Sequence, residues 1–261
     1  MTIVESLIAA GAAAAALMFL TWVVSLIVRD ASIVDIVWGL GFVLIAWTVT
    51  LGLEERSVRA VLLVAATTVW GLRLAAYLAW RNLGEPEDRR YRAMRKKHGD
   101  RFPLVSLFTV FALQATIMWI VSLPVQAGQH GSSPLGPTDL IGAAVFLFGL
   151  AFESVGDLQL ARFKANPANE GEVLDTGLWR YTRHPNYFGD FCVWWGLYLI
   201  ALAGGAWWTL VGPAVMSLFL MRISGVGMLE KTIGKRRPGY ASYIERTNTF
   251  FPGPPRRGSR A

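Results

Sequence analysis

Cysteine, histidine and charge are all scarce in this chain. One cysteine, Cys192, excludes an internal disulfide and a thiolate metal centre. Three isolated histidines with no ligand spacing point to no metal site. Charged residues are only 16% of the 261, and no internal repeat or separate soluble stretch interrupts the apolar runs. Gly39-Leu40-Gly41 lacks a third glycine in register and sits inside an apolar run, which excludes a Rossmann-type dinucleotide fold. The first apolar run carries Glu5 at its start, has no positive leader and is too long for a cleaved signal, so it is expected to be retained.

Hydrophobic residues make up 54% of the chain and gather in long blocks. Seven of these are about the 20 residues a helix needs to cross the hydrocarbon of a bilayer. They run approximately over 5–28, 31–51, 58–80, 104–126, 138–160, 187–204 and 205–224, the last two meeting in a hairpin at Gly204-Gly205. The sequence therefore predicts an all-α integral membrane bundle, one domain over 1–261. Pro252-Gly253-Pro254-Pro255 is expected to end ordered structure, leaving 252–261 as a disordered tail.

The net charge of +7 is unevenly placed. Of the 25 Lys and Arg, only Arg56, Arg59 and Arg73 lie outside Arg29, the segments 81–103 and 161–186, and the stretch from 222 onward. Seven alternating spans put those basic regions on one side, which the positive-inside rule makes cytoplasmic. The N-terminus is then outside and the C-terminus inside, with the chain in the cytoplasmic (inner) membrane. Attraction to anionic membrane lipids accounts for the excess charge, and no nucleic acid is needed to explain it.

Ionisable groups inside hydrocarbon are costly, so each is a site candidate. Asp35 lies one turn into the second span, with Trp38 on the same face at i+3. Arg73 and Tyr77 share a face near the end of the third span, before Arg81 and Asn82. Glu153 and Asp157 do the same in the fifth, before Arg162 and Lys164, and Arg222 closes the seventh. All fall in the cytoplasmic third, which predicts a cytosol-facing pocket floored by carboxylates and aromatics and rimmed by Arg and Lys. A purely structural network of Asp35, Glu153 or Asp157 with Arg73 is the competing reading. Gln114, mid-span in the fourth block, either touches substrate or bonds a neighbouring helix. The densest polar run, Gly177 to Asp190, leads into the apolar stretch from Phe191 to Leu202. Its Arg183, His184, Asn186 and Asp190 suit a phosphorylated or nucleotide-like ligand. The alternative is a basic anchor at the headgroups, with Tyr187 and Trp194 as an aromatic belt.

These residues also carry a resemblance. Asp35-x-x-Trp38-Gly39, Arg73, Asn82, Glu87-Asp88-x-Arg90-Tyr91 and Gly177 to Asp190 resemble a bacterial membrane family related to the steroid 5-alpha-reductases. So does the ending Arg237-Pro238-Gly239-Tyr240-x-x-Tyr243-x-x-Arg246-Thr247-x-x-Phe250-Phe251-Pro252, and the likeness covers roughly 30–255. Arg-His-Pro-x-Tyr-x-Gly alone is shared with isoprenylcysteine and phospholipid methyltransferases, where it helps to bind S-adenosylmethionine. Asn186 and Asp190 match the reductase pattern.

The resemblance implies a seven-helix reductase that binds NADPH from the cytosol. Its reaction would reduce a carbon–carbon double bond conjugated to a ketone, in a lipophilic substrate reached from the bilayer. It implies cofactor contacts from Asn82, Asp157, Lys164, Arg180, Tyr181, Asn186, Asp190, Arg222 and Tyr243. Arg73, Arg89, Arg90, Glu153, Arg183, His184, Tyr187 and Arg246 complete the candidate cofactor set. Lys164, then Arg89 and Arg90, are the expected partners of a 2′-phosphate. Asp35 falls where the reductases place an acid that polarises the substrate carbonyl, with Trp38 and Tyr77 as further catalytic candidates. Where steroid reductases have a tyrosine near position 70, this chain has Trp70, a substrate-lining candidate with Gln114. The proton donor stays open between Tyr77, a neutral Asp35, and a tyrosine or water oriented by ionised Asp35. Two other functions remain in view: an S-adenosylmethionine-dependent methyltransferase of a lipid or prenylated thiol, and a non-catalytic lipid-binding protein whose intramembrane charges are structural pairs.

Overall fold

The computed structural model describes residues 1–223 and 239–256. Every regular element among them is helical, as the apolar blocks predict: α1 (Ile3–Val28), α2 (Ile33–Gly52), α3 (Val58–Asn82), α4 (Arg89–His98), α5 (Phe102–Ser106), α6 (Leu113–Val121), α7 (Leu123–Gly128), α8 (Pro137–Ala165), α9 (Pro185–Ala203), α10 (Val211–Leu218) and α11 (Tyr240–Arg246). Five segments are long and apolar enough to cross a membrane: α1, α2, α3, the run Arg89–Val121, and α8. α9 adds 19 residues, and Trp207–Ile223 is a shorter apolar helix. These are the dimensions of a multi-pass membrane protein.

Two departures from the expected spans have local causes. The basic segment 81–103 is no loop, because Asp88 caps a helix that starts at Arg89. That helix stops at Gly99, whose φ of 50° favours glycine, and Pro103 occupies the first turn of α5. The block 104–126 is likewise interrupted, by a turn of π-helix over Leu107–Ala112 and by a break at Ser122.

The chain forms two compact units, the first comprising Met1–Asp139 with Leu197–Gly212, the second Leu140–Gly196 with Pro213–Ala261. In the first, α2 and α3 meet at Gly39 and Gly71. A methyl on Gly39 would lie 2.4 Å from the Gly71 carbonyl oxygen, and one on Gly71 2.6 Å from that of Gly39. Apolar helices gain little by leaving lipid, so such close backbone approach is what holds them together. Gly39, part of the run that fails as a nucleotide motif, thus has a packing role. Arg59, outside the basic regions, is buried at the start of α3. It forms a two-pronged ion pair with Asp139 at 2.8 and 3.0 Å, both side chains 1% exposed, and donates to the Ser133 and Pro134 carbonyls.

In the second unit, glycines recur every seven residues, two helical turns. Gly142 and Gly149 of α8 face Gly196 and Gly189 of α9, and Gly156 faces Pro185 and Asn186. A methyl on Gly149 would lie 2.6 Å from the Gly189 oxygen, one on Gly189 2.4 Å from the Glu153 amide, and one on Gly196 2.5 Å from the Phe146 amide. Gly189→Ala must push two backbones apart and is expected to destabilise by about 1–3 kcal/mol. Gly136→Ala, where an added methyl meets nothing within 4 Å, is expected to leave the thermal midpoint unchanged. Equal midpoints for the two variants in detergent would contradict this packing.

Candidate functional site

In the first unit the candidate residues converge on the start of α2. Asp35, in the first turn of that helix, accepts a hydrogen bond from the Arg90 guanidinium at 2.9 Å on Oδ2 and one from the Tyr91 hydroxyl at 3.2 Å on Oδ1. Both partners sit in the first turn of α4, and Tyr91 is buried at 6% exposure. Arg90 also pairs with Asp88 at 3.0 Å. Glu87 takes two bonds from Arg95, at 2.8 and 3.2 Å, and one from the Ala31 amide at 2.9 Å. The Asp88 amide donates to Ser32 Oγ. The Glu87-Asp88-x-Arg90-Tyr91 motif therefore stitches the turn before α2 to α4, with Asp35 at the centre.

Trp38 lies edge-on to Phe42 at 5.1 Å, and Phe42 edge-on to Trp70 at 5.5 Å. Trp70 is fully buried, so the aromatic position implied as substrate-lining is a core residue of α3. Tyr77 lies between the guanidinium groups of Arg73 and Arg81, 5.7 Å from each, and Arg81 donates to Asn82 Oδ1. Arg73 thus packs on Tyr77 along α3, and Arg90, from α4, pairs with Asp35. Arg89 is exposed on α4, and Gln114 is half-buried on α6. A cavity of about 750 Å³ lies at the far end of α2 from Asp35. Its walls include Glu5, Glu54, Arg56 and His130 and none of the candidate residues.

In the second unit the run Gly177 to Asp190 is bound to the C-terminal segment. Gly177 takes a φ of 59°, which lets the Leu178 amide reach Gln159 at 3.0 Å. Arg183 is only 6% exposed, and its guanidinium donates to the Ile244 and Thr247 carbonyls and to Thr249 Oγ1. It braces the end of α11. Tyr243 donates to the Trp179 carbonyl at 2.5 Å, and Phe250 and Phe251 pack edge-on against Phe188 and Phe191. Order does not end at Pro252: the Gly253 amide bonds the Tyr181 carbonyl and the Arg256 amide that of Arg246. Trp194 is fully buried, which removes it from any headgroup belt. Arg237, Pro238, the tail cations Lys231, Lys235, Arg236, Arg257 and Arg260, and residues 257–261 lie outside the described residues.

The close α8–α9 contact brings Asn186 to Asp157, the amide donating at 3.2 Å, with Asp157 and Glu153 buried. His184 is buried and stacks on Tyr187 at 5.5 Å. Asp190 is half-buried, and Lys164, Arg180, Tyr181, Arg222 and Arg246 are exposed, Arg246 standing 3.5 Å from Asp175. A buried acid with a half-buried amide partner, accompanied by exposed cations, can hold an anionic ligand that carries a hydrogen-bonding ring.

Tyr91 is the residue that sequence reasoning left out of the site. The available signal was Asp88 as a helix cap, which places Arg90 and Tyr91 in a first turn. Burial opposes ionisation of Asp88. The amide and guanidinium of Arg90, with the charges of Arg90 and Arg81, outweigh it and hold its carboxyl below the usual range. A lowered carboxyl contributes stability that is present above its unfolded value and lost as pH falls through the folded one. The thermal midpoint of the natural protein should therefore exceed that of Asp88→Asn at pH 7, with the gap closing below about pH 4. A gap independent of pH would contradict the pairing.

No solved structure matches this chain significantly. An uncharacterized protein of Schizosaccharomyces pombe, C594.04c, is 25% identical over 88% of this chain and 75% of its own length. A protein of Ustilaginoidea virens named probable O-methyltransferase ustE is 31% identical over 46% of this chain, a match spanning 39% of that protein. A family model matches residues 21–247, most of the molecule, and the chain belongs to that family, described as a protein of unknown function (DUF1295).

Proposed function

We propose that the chain is a membrane-embedded, NADPH-dependent reductase of a lipophilic conjugated enone, with its basic side and its site facing the cytosol from the inner membrane. The observation that carries this reading is the Asp35–Tyr91–Arg90 array, a proton-holding group at the end of a membrane helix. The residues of the second unit fit the cofactor: Asn186 and Asp157 suit an amide-bearing ring, and Lys164, Arg180, Arg222 and Arg246 suit phosphates. The chemistry such a cofactor would supply is a hydride for the β-carbon of the enone.

The protein's own part is electrostatic. When Asp35 carries a proton, Oδ1 can donate it to the Tyr91 oxygen across the same 3.2 Å. That frees the phenol hydrogen for the substrate oxygen, where negative charge develops, and the enolate then takes its α-carbon proton from water. Arg90 fixes the other carboxylate oxygen and with it the orientation of the pair. Tyr91 thereby takes the role the sequence left open between Tyr77, Asp35 and water. A second reading, O-methyl transfer from S-adenosylmethionine, draws support from the named Ustilaginoidea virens relative and from Arg183-His184-Pro185.

Saturating NADPH should stabilise detergent-purified protein by about 2–4 kcal/mol, by mass action on the folded state. Stabilisation by S-adenosylmethionine instead would replace the reductase reading with the methyltransferase. Asp35→Asn should keep NADPH binding and lose roughly 100-fold in turnover of an enone. Folded, cofactor-binding Asp35→Asn protein with natural turnover would end the catalytic assignment. Lys164→Ala should weaken NADPH more than NADH, and equal effects would take Lys164 out of the 2′-phosphate site.

A further inference from the structure

α4 divides its cations into two sets. Arg90, 47% exposed, and Arg95 are paired with the acids Asp35, Asp88 and Glu87, and the Arg95 guanidinium also sits 4.1 Å over the Phe102 ring. Tyr91 is buried and Met94 and His98 are half-buried, the latter two on the inward side with Arg95. Arg89, Arg92, Lys96 and Lys97, at helical spacings of three and four, are all exposed with Ala93. The helix contains no acid that could neutralise them. The neighbouring apolar residues place this face at a hydrocarbon boundary: Trp80 is 68% and Leu83 70% exposed at the end of α3, and Leu104 62% and Phe108 63% exposed just after α4. A row of outward cations beside lipid-facing tryptophan and leucine is complementary to a phosphate-bearing bilayer surface.

We infer that the outer face of α4 binds anionic lipid headgroups, and that this contact holds in place the helix that delivers Arg90 and Tyr91 to Asp35. The favoured occupant is a membrane and not a nucleic acid, because the same helix runs within the apolar segment Arg89–Val121. The surface does not depend on which reaction Asp35 serves.

The test uses the full chain in nanodiscs, with phosphatidylcholine alone or mixed with phosphatidylglycerol, and native mass spectrometry of lipids retained on release. Each basic residue near an anionic surface is worth about fivefold in affinity, so removing three should lower a preference for phosphatidylglycerol at least tenfold after screening. Arg92→Gln/Lys96→Gln/Lys97→Gln leaves Arg89, Arg90 and Tyr91 untouched and is expected to show that loss. Arg92→Lys, which keeps the charge, should retain the preference and serves as the folding control. Hydrogen exchange of α4 amides should be faster in the triple variant, and faster for the natural protein in phosphatidylcholine alone. An undiminished phosphatidylglycerol preference in the triple variant overturns the proposal. So does displacement of the lipid by saturating NADPH, which would mark a nucleotide surface. Tighter binding of a short RNA duplex than of anionic lipid would overturn it as well.

Discussion

A carboxylate in the first turn of a membrane helix needs partners, and Asp35 finds them 55 and 56 positions away. Leaving such a charge without a counter-ion at the edge of hydrocarbon is costly, so the pairing constrains everything between. α3 has to return the chain to the end of α2 where it began, and Asp88 has to start a new helix there. Glu87 then fixes the turn before α2 through the Ala31 amide and Arg95. One ionic contact thereby sets the relation of three helices and carries the residue best placed for chemistry.

The second unit is organised by a different constraint, the absence of side chains. Gly149 and Gly189 allow α8 and α9 to approach so closely that Asn186 meets Asp157. The tail completes the arrangement. Arg183 engages the end of α11, Tyr243 reaches back to Trp179, and Phe250 packs on Phe188. The motif at 177–190 and the one near 240–252 are thus joined by hydrogen bonds and ring contacts.

Some of this was legible in the sequence. Apolar block length gave the helices, because hydrocarbon thickness and backbone hydrogen bonding leave few alternatives. Asp35 stood out because charge inside a span is rare. Its partner was not legible, since Tyr91 comes from a basic segment outside the apolar spans and nothing in local periodicity links positions so far apart. The Arg59–Asp139 pair was hidden for the same reason, its members lying 80 positions apart. Arg183 looked like a ligand for phosphate because its sequence neighbours are polar, whereas its donors go to carbonyls 61 or more residues away. The interruptions at Leu107–Ala112 and Ser122 leave the apolar pattern intact and so escaped it.

The function proposed here depends on Asp35 and Tyr91 acting as one proton-holding unit. A double-mutant cycle of Asp35→Asn and Tyr91→Phe tests that most directly, with single-turnover reduction of a conjugated enone measured at saturating NADPH. If the two act as a unit, either change alone removes nearly all the benefit, and the double variant is no slower than the slower single one. Losses that multiply, so that the double variant falls by the product of the two single effects, would contradict the account.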